Sequence, residues 1–179
     1  MERKLTLADI AGYIPYRLYA KDAGWYFQTM PGIINHVMGI RSPAFQVEGH
    51  EDKLIVLENL KPVLRPLSDL YRTITHNGKE LVPIVELCET ALQSTVDNYE
   101  LKKDNLYIYI ADRLSYEFCF SKERGSFEFV YIGKVNNLLK VNHQNLLFDY
   151  LHELKIDYRD LIEAKLAVSC CDLKTNPYK

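Results

Sequence analysis

The sequence lacks the features that place a protein in a membrane or mark it as strongly basic or acidic. No window approaches the stretch of about 18 apolar residues that a transmembrane helix needs. Lysine and arginine number 22 against 24 acidic residues, so the net charge of −2 gives no general electrostatic footprint for nucleic acid or an anionic membrane. The first four residues lead into a helix rather than an apolar signal core. We therefore expect a cytoplasmic protein with no membrane partner.

The sequence also lacks the short motifs that carry catalysis or hold phosphate and metal. No histidine lies in an H-E-x-x-H pattern, no serine in a G-x-S-x-G turn, and no glycine-rich phosphate loop is present. His50-Glu51-Asp52 is interpreted as a solvated turn, because consecutive side chains on a strand cannot all point one way. His152 is offset from the apolar stripe of its helix and is expected to be exposed. We predict no enzyme activity, no catalytic residue, no cofactor and no metal site.

The four cysteines form no C-x-x-C pair and have no histidine at metal-ligand spacing. Cys88 and Cys119 are interpreted as small core residues, because free cysteine is among the most buried residue types. The adjacent Cys170 and Cys171 leave two interpretations open: a vicinal disulfide or reactive thiol, and a loosely packed reduced end. A reducing compartment favours the reduced thiols.

The 179 residues are enough to bury about 70% of the unfolded surface. Helical and strand patterns without an internal repeat predict an α+β fold. We expect short antiparallel sheets, or meanders, with N-terminal, central and two C-terminal helices. The chain forms either a single domain over residues 1–179 or two lobes. The lobes would cover residues 1–92 and 106–179, because the polar stretch between them has the composition of a connector.

The first part of the chain is predicted to begin with a short helix and to continue as strands. Thr6 precedes the helix and Asp9 follows three residues later, a pair typical of a capping box. Pro15 ends this helix. Glycine and proline then divide an aromatic stretch into short extended pieces. The predicted strands are Tyr16–Ala20, Trp25–Thr29, Ile33–Ile40, Ala44–Val47 and Leu54–Leu57.

The stretch from Lys61 to Leu87 contains the strongest start and stop signals. Pro66 suits the first turn of a helix, where its missing N–H costs nothing, and apolar residues recur after it at helical spacing. Asn77-Gly78 is interpreted as the end of this helix, because glycine tolerates the left-handed conformation. A second central helix is predicted from Val85 to Leu92.

The last part of the chain is predicted to form a three-stranded meander followed by two helices. The middle strand alternates apolar and polar residues, so one of its faces packs on a core. Lys122–Gly125 joins it to the next strand as a hairpin turn, and Asp157 is expected to cap the last helix. The predicted strands are Leu106–Ala111, Leu114–Phe120 and Phe127–Ile132, and the apolar stripes of the helices run over Leu146–Leu154 and Leu161–Leu166.

Several short segments share their pattern with one known family. They are KPVLRPLSDL (Lys61–Leu70), HNG (His76–Gly78), LVPI (Leu81–Ile84), LTLADIAGYIPYRL (Leu5–Leu18) and FDYLHELKIDYRDLIEAKLAV (Phe148–Val168). In these segments the chain resembles a family of uncharacterised small proteins encoded by phages and prophages of Bacteroides-type gut bacteria. Ala164-Lys165 departs from the Lys-Gly that is usual in that family. The resemblance implies a mobile-element origin and a cytoplasmic location in a bacterium, and it implies no activity.

Thirteen tyrosines are the most unusual feature of the composition. Tyrosine combines a large rigid contact surface with a polar hydroxyl and is enriched in interfaces. We therefore expect a non-catalytic accessory protein that contacts an unidentified host or phage protein. The alternative for each ring is that it fills the core. The candidate contact residues are Tyr13, Tyr16, Arg65, Asp69, Tyr71 and Arg72, with Arg65 and Asp69 expected on the outward face of the predicted helix.

Nucleic-acid binding is the alternative function, although the net negative charge weighs against it. Aromatic rings on strands can stack on bases while neighbouring basic groups contact phosphates. The tyrosines of this hypothesis are Tyr107, Tyr109 and Tyr131, and its basic residues are Lys102, Lys103, Arg113, Lys134 and Lys140.

Overall fold

The computed structural model describes residues 3–31, 43–110, 113–133 and 137–179. It contains helices and strands, and most strands form short antiparallel sheets, so the predicted α+β class is confirmed. Among the described residues, no helix has both the length and the apolar character needed to cross a bilayer. The α-helices are α1 (Leu7–Ile10), α2 (Pro83–Leu92) and α3 (Gln144–Glu153). The strands are β1 (Tyr19–Asp22), β2 (Trp25–Gln28), β3 (Ala44–Val47), β4 (His50–Val56), β5 (Lys61–Pro66), β6 (Ile74–His76), β7 (Lys79–Leu81), β8 (Tyr99–Lys102), β9 (Asn105–Ile110), β10 (Arg113–Ser121), β11 (Ser126–Tyr131), β12 (Asn137–Lys140), β13 (Ile156–Asp157) and β14 (Val168–Ser169).

The chain divides into two compact units. The first unit combines Met1–Pro66 with Leu151–Pro177, and the second comprises Leu67–Tyr150 with Tyr178–Lys179. Strands β1 to β5, β13 and β14 therefore belong to the first unit, and β6 to β12 belong to the second. The first unit brings together segments that are far apart in sequence.

β5 is the central strand of the first unit's five-stranded sheet. It pairs antiparallel with β1 and parallel with both β13 and β14, while β1 also forms an antiparallel hairpin with β2. Four successive residues of β5 are buried. A strand buried on both faces does not alternate between apolar and polar residues. This explains why Lys61–Pro66 was not predicted as a strand.

α1 contributes Ile10 to the hydrophobic core that also contains Ala20 of β1 and Leu64 of β5. The backbone N–H of Thr6 donates to Asp9 Oδ2 at 2.9 Å, and the Thr6 hydroxyl donates to the same oxygen at 2.7 Å. The predicted capping pair is therefore present. A short 3-10 turn, Ile14–Tyr16, follows the helix. The buried core of the unit includes Ile10, Tyr13, Leu18, Ala20, Phe27, Phe45, Leu64 and Leu161.

The structure corrects the first of the two predicted central helices. Leu67–Tyr71 forms a 3-10 helix of five residues after β5 ends at Pro66. Asn77 and Gly78, with φ of 50° and 76°, join β6 to β7 as a hairpin turn instead of ending a helix. Asn-Gly with two positive φ angles is the preferred two-residue hairpin turn. The second predicted helix, Val85–Leu92, is confirmed within α2.

The second predicted C-terminal helix is not confirmed. α3 corresponds to the first one, and the residues from 158 to 167 form turns and bends. Asp157 still accepts hydrogen bonds from the backbone N–H groups of Leu161, at 3.0 Å, and Ile162, at 2.7 Å. However, Asp160 and Lys165 have φ of 57° and 61°. Left-handed residues interrupt a right-handed helix, so the segment turns back instead of continuing.

The predictions for the other N-terminal strands have mixed outcomes. Ala44–Val47 is confirmed as a strand with the predicted bounds. His50-Glu51-Asp52 begins β4 and is not a turn, because the turn lies at Glu48-Gly49, where Gly49 has φ of 73°. The predicted strand Ile33–Ile40 lies outside the described residues.

The second unit contains an antiparallel sheet of five strands in the order β12-β11-β10-β9-β8. Its three inner strands match the predicted meander, and the predicted Lys122–Gly125 turn joins β10 to β11. The two outer strands, β8 and β12, were not predicted. They widen the sheet beyond the meander, and each contributes an exposed large side chain, Tyr99 on β8 and Leu139 on β12.

Candidate interaction surface

Three of the six predicted contact residues are buried. Tyr13 is fully buried, and its hydroxyl donates to the carbonyl oxygen of Ile156 at 2.7 Å in the first unit. Arg65 lies on β5 and not on a helix, and its exposed fraction is 2%. Asp69 is equally buried. A buried side chain offers no surface to a partner, so the prediction of these three as contact residues is corrected.

The other three predicted contact residues have accessible surface. Arg72 is exposed, and its guanidinium pairs with the carboxylate of Asp69. Tyr16 is half-buried, with the ammonium of Lys155 5.3 Å from its ring centroid. Tyr71 is half-buried in the second unit. A contact role for these residues stays a prediction.

Tyr71 is hydrogen-bonded to the C-terminal end of β10 in the second unit. Its hydroxyl accepts a hydrogen bond from the backbone N–H of Phe120 at 3.2 Å, beyond the last residue of β10 that pairs with β9. Burial raises the pKa of Tyr71 to about 12, so the hydroxyl is protonated at neutral pH. Tyr71 also lines a cleft of about 530 Å³ that carries both signs of charge, Lys122 against Asp104 and Glu123. This mixed lining indicates no particular ligand.

The register of the second unit's sheet places a row of tyrosines on one face. Tyr116 on β10 lies opposite Ile108 on one side and Tyr131 on the other, and Ile108 lies opposite Tyr99. Residues directly opposite each other on antiparallel strands point to the same face of the sheet. Three tyrosines and one isoleucine therefore form a row across four strands.

α3 covers one end of this face. Phe148 packs against Phe120 and Phe127, with ring centroids 6.2 and 6.0 Å away. The side chain of Gln144 accepts from the N–H of Phe127 at 3.0 Å and donates to its carbonyl at 2.7 Å, as an added strand would. Ring contacts with centroids 4.6 to 5.6 Å apart continue on the same face from Phe120 and Phe127 to Phe118 and Phe129.

The other end of the same face is exposed. Tyr99, Tyr131 and Leu139 are 40%, 42% and 42% exposed, and Tyr116 between them is half-buried. The rings of Tyr116 and Tyr131 meet edge to face, with centroids 5.6 Å apart. We call these four residues the tyrosine band. At a strand spacing of about 4.8 Å, the band extends about 19 Å from β8 to β12.

The backbone next to the band leaves room for its rings. A Cβ atom at Gly133 would lie 2.5 Å from Cε1 of Tyr131, so a larger residue there would displace the ring. One sequence signal points to the band, because Tyr116 lies on the apolar face of the predicted middle strand. The alternation of apolar and polar residues predicts that this whole face of the strand packs on the core. The exposure of Tyr99 and Leu139 could not be predicted without β8 and β12.

The tyrosines of the nucleic-acid hypothesis are divided between the two faces. Tyr131 belongs to the tyrosine band, whereas Tyr107 and Tyr109 lie on the opposite face with Glu100. The hydroxyl of Tyr109 donates to Glu100 Oε2 at 2.7 Å, and this bond is the main cause that lowers the pKa of Glu100. The carboxylate is therefore charged at neutral pH beside the two rings. The three tyrosines cannot form one stacking platform.

The basic residues of that hypothesis are also partly neutralised. The ammonium of Lys102 lies 3.0 Å from the carboxylate of Glu100 and 5.3 Å from the ring centroid of Tyr107. Lys103 lies in the turn between β8 and β9, with φ of 53°. Lys134 lies outside the described residues.

A polar cluster in the first unit was not predicted. His152, expected to be exposed, is half-buried, with its imidazole edge-on to Tyr13 at 4.9 Å and its Nε2 2.8 Å from the Tyr158 hydroxyl. Lys155 is 4% exposed, and its ammonium donates to the carbonyl oxygen of Glu153 at 2.9 Å. Burial lowers the pKa of Lys155 to about 8. Tyr13 lies about 140 positions before His152 and Tyr158 in the sequence, so no local sequence pattern indicates this cluster.

The four cysteines are free thiols. Cys88 is buried, as predicted, and burial raises its pKa to about 12. Cys119 is only half-buried, and desolvation is again the main cause that raises its pKa, to about 11. Thiols with pKa values this high are protonated at neutral pH and are poor nucleophiles. Cys170 is buried and Cys171 is exposed.

No protein family, curated protein or solved structure matches this chain. The resemblance to a phage and prophage family, which depends on short segments, therefore stays a prediction.

Proposed function

We propose that this protein is a non-catalytic accessory protein of phage or prophage origin that acts by binding another protein through the tyrosine band. The single observation that supports the proposal is the grouping of three large, two-fifths-exposed side chains at one end of a sheet face. Single exposed apolar residues are ordinary on protein surfaces, whereas contiguous patches mark binding sites. The segment resemblance supports the mobile-element origin and a cytoplasmic location.

The size of the band suits the centre of an interface. With about 200 Å² for a full large side chain, Tyr99, Tyr131 and Leu139 together expose on the order of 250 Å². A standard interface buries about 800 Å² on each partner, and a few central residues supply most of its binding energy. The band is therefore large enough to hold the residues that dominate binding, with a polar rim around them.

The chemistry of the band indicates the kind of partner it fits. Its four side chains carry no formal charge, and tyrosine hydroxyls are hydrogen-bond donors and acceptors at the outer end of an apolar ring. A matching protein surface is apolar at its centre and offers carbonyl or carboxylate oxygens to the hydroxyls. Nucleic acid, with a charge on every phosphate, is a poorer match to an uncharged band.

The test is affinity capture with three tagged baits from a lysate of a Bacteroides-type bacterium at physiological salt, followed by quantitative mass spectrometry. The baits are the wild type, a Tyr99→Ser/Tyr131→Ser double variant, and a Leu92→Ser/Leu146→Ser double variant. Leu92 and Leu146 are 44% and 48% exposed and lie outside the band in the same unit, so they control for the loss of exposed apolar surface. Thermal unfolding of each bait checks that it folds.

We expect a stoichiometric protein that the wild type and the leucine variant capture and the tyrosine variant does not. A partner that all three baits capture equally would contradict a role for the band. Recovery of no protein partner by any bait would contradict the proposed function as a whole. Nuclease-sensitive nucleic acid in place of a protein would favour the alternative function.

A further inference from the structure

A cleft of about 460 Å³ lies entirely within the first unit and is lined by three lysines. Lys21 belongs to β1, Lys61 to β5, and Lys165 to the turns that precede β14. Asp22 and Asp172 also line it. We call this site the lysine cleft. Its volume lies in the range of about 300–1,000 Å³ that is typical of ligand sites.

Two of the lysines are placed against each other by the register of the sheet. Lys21 and Lys61 are directly opposite on the antiparallel pair β1 and β5, so their side chains leave the same face. Like charges in directly opposite positions destabilise a sheet. Within the part of the chain that the structure describes, neither ammonium lies at ion-pair distance from a carboxylate. An anion in the cleft would relieve this repulsion.

The other side of the cleft adds a third charge and a neutral donor. Lys165 has φ of 61°, in the left-handed region, where a lysine is uncommon. The hydroxyl of Ser169, which accepts a hydrogen bond from the backbone N–H of Cys171 at 3.2 Å, still has its own proton to donate. Ammonium and hydroxyl groups on apolar walls are suited to binding phosphate oxygens.

The charge balance of the cleft indicates which kind of phosphate it fits. Three ammonium groups against the carboxylates of Asp22 and Asp172 leave one net positive charge. A phosphodiester carries one negative charge, whereas a terminal phosphate monoester carries about 1.5 to 2 at neutral pH. The cleft therefore matches the linkage between two nucleotides better than a free phosphate group.

Two aromatic rings stand beside the cleft on the same sheet face. Tyr26 lies opposite Lys21 in the β1–β2 hairpin, and the Lys21 ammonium is 5.3 Å from its ring centroid. The ring of Tyr19 is parallel to that of Tyr26 within 9°, with centroids 6.3 Å apart. Half-exposed rings next to ammonium groups are the elements with which proteins bind single-stranded nucleic acid, by base stacking and backbone contact.

We propose that the lysine cleft binds the phosphodiester backbone of a single-stranded nucleic acid. The proposal is independent of the tyrosine band and of the protein partner proposed above. The probe is a fluorescently labelled oligothymidylate of about 12 nucleotides, and the measurement is fluorescence anisotropy of the full chain over a range of salt concentrations. One phosphodiester charge neutralised by the single net positive charge of the cleft predicts a slope of log K against log salt of about −0.7.

Charge-removing variants locate the binding. Removal of one positive charge in Lys61→Gln or Lys165→Gln leaves the lining with no net charge, and it is expected to reduce the slope by about 0.7 and to weaken binding about eightfold at about 50 mM salt. Asp172→Asn, which removes a carboxylate from the lining, is expected to tighten binding. Lys53→Gln is the matched control, because Lys53 is an exposed lysine on β4 that contacts the Trp25 ring and does not line the cleft. It is expected to change binding less than twofold.

Three outcomes would overturn the proposal. The first is no binding of the oligonucleotide at low salt, and the second is an equal loss of affinity in Lys53→Gln and Lys61→Gln, which would indicate general electrostatic attraction. The third is competition by thymidine monophosphate as strong as by unlabelled oligonucleotide at equal ionic strength, which would indicate a site for terminal phosphate. Thermal unfolding of Lys61→Gln at a temperature no lower than that of the wild type shows that the variant is folded and keeps these outcomes interpretable.

Discussion

Replacement of Lys155 by methionine is expected to stabilise the protein at neutral pH. Lys155 is 4% exposed, and its pKa is lowered from 10.5 to about 8, chiefly by burial, with the charge of Arg65 adding to the effect and that of Glu153 opposing it. A difference of one pKa unit corresponds to about 1.4 kcal/mol. The charged ammonium therefore destabilises the folded state by about 3 kcal/mol relative to the unfolded chain.

Lys155→Met removes this cost, and the interactions that the substitution loses contribute less to stability than the buried charge costs. It is unbranched and adaptable, so it can fill the space of the lysine side chain. The losses are the hydrogen bond to the Glu153 carbonyl and the contact with the Tyr16 ring, together about 1–2 kcal/mol. We therefore expect Lys155→Met to raise the free energy of unfolding by about 1–2 kcal/mol at pH 7.

The pH dependence of the stability difference between Lys155→Met and the wild type tests whether the buried charge is the cause. Because its pKa is lower in the folded state, Lys155 binds fewer protons there than in the unfolded chain between about pH 8 and pH 10.5. The stability of the wild type relative to the variant therefore rises with pH across this window, and below about pH 8 the full cost is present. The advantage of Lys155→Met should shrink or reverse as the pH increases.

Urea unfolding of both proteins at several pH values from about 7 to about 10 measures this difference directly. Other groups that titrate in this range are common to both proteins, so their contributions cancel in the difference in unfolding free energy. Lys174→Met, at an exposed position, controls for the removal of a positive charge. A difference in unfolding free energy between Lys155→Met and wild type that does not change over this pH range would refute the reasoning.

Two further predictions concern packing and an edge contact. Gly12→Ala is expected to destabilise the protein by about 1–3 kcal/mol, because the added Cβ would overlap the imidazole of His152, which the Tyr158 hydroxyl holds in place. Urea unfolding checks this, and an unchanged midpoint would contradict the close packing. Gln144→Ala is expected to cost about 2 kcal/mol, because it removes both hydrogen bonds to the backbone of Phe127. Faster hydrogen exchange at the Phe127 amide is the accompanying sign, and unchanged exchange there would count against the contact.

Features governed by neighbouring residues were predictable from the sequence. The Thr6 and Asp9 capping pair, the strand Ala44–Val47 and the Lys122–Gly125 turn all follow from residue types within a few positions. The central strand β5 could not be found in this way, because it is defined by pairing with β13 and β14, about 90–105 positions later. Pro62 within β5 even argues against a central strand by local rules.

The candidate interaction surface was likewise predictable only in part, because its exposure depends on contacts between distant residues. The high tyrosine content indicated an interaction surface, but composition does not distinguish Tyr13, which is fully buried, from Tyr131, which is 42% exposed. That distinction depends on the pairing of β8 to β12 and on where α3 covers the sheet. Asn77-Gly78 was ambiguous for a related reason, because the same dipeptide can end a helix or close a hairpin.

The most direct test of protein binding through the tyrosine band is the affinity of the captured partner for purified variants, measured by titration calorimetry. Truncation of a central aromatic residue in an interface commonly costs about 2 kcal/mol or more. Tyr131→Ala should therefore weaken binding more than tenfold, while Leu92→Ala, with similar exposure outside the band, should leave the affinity within about twofold. Equal affinities of wild type and Tyr131→Ala for that partner would contradict binding through the band.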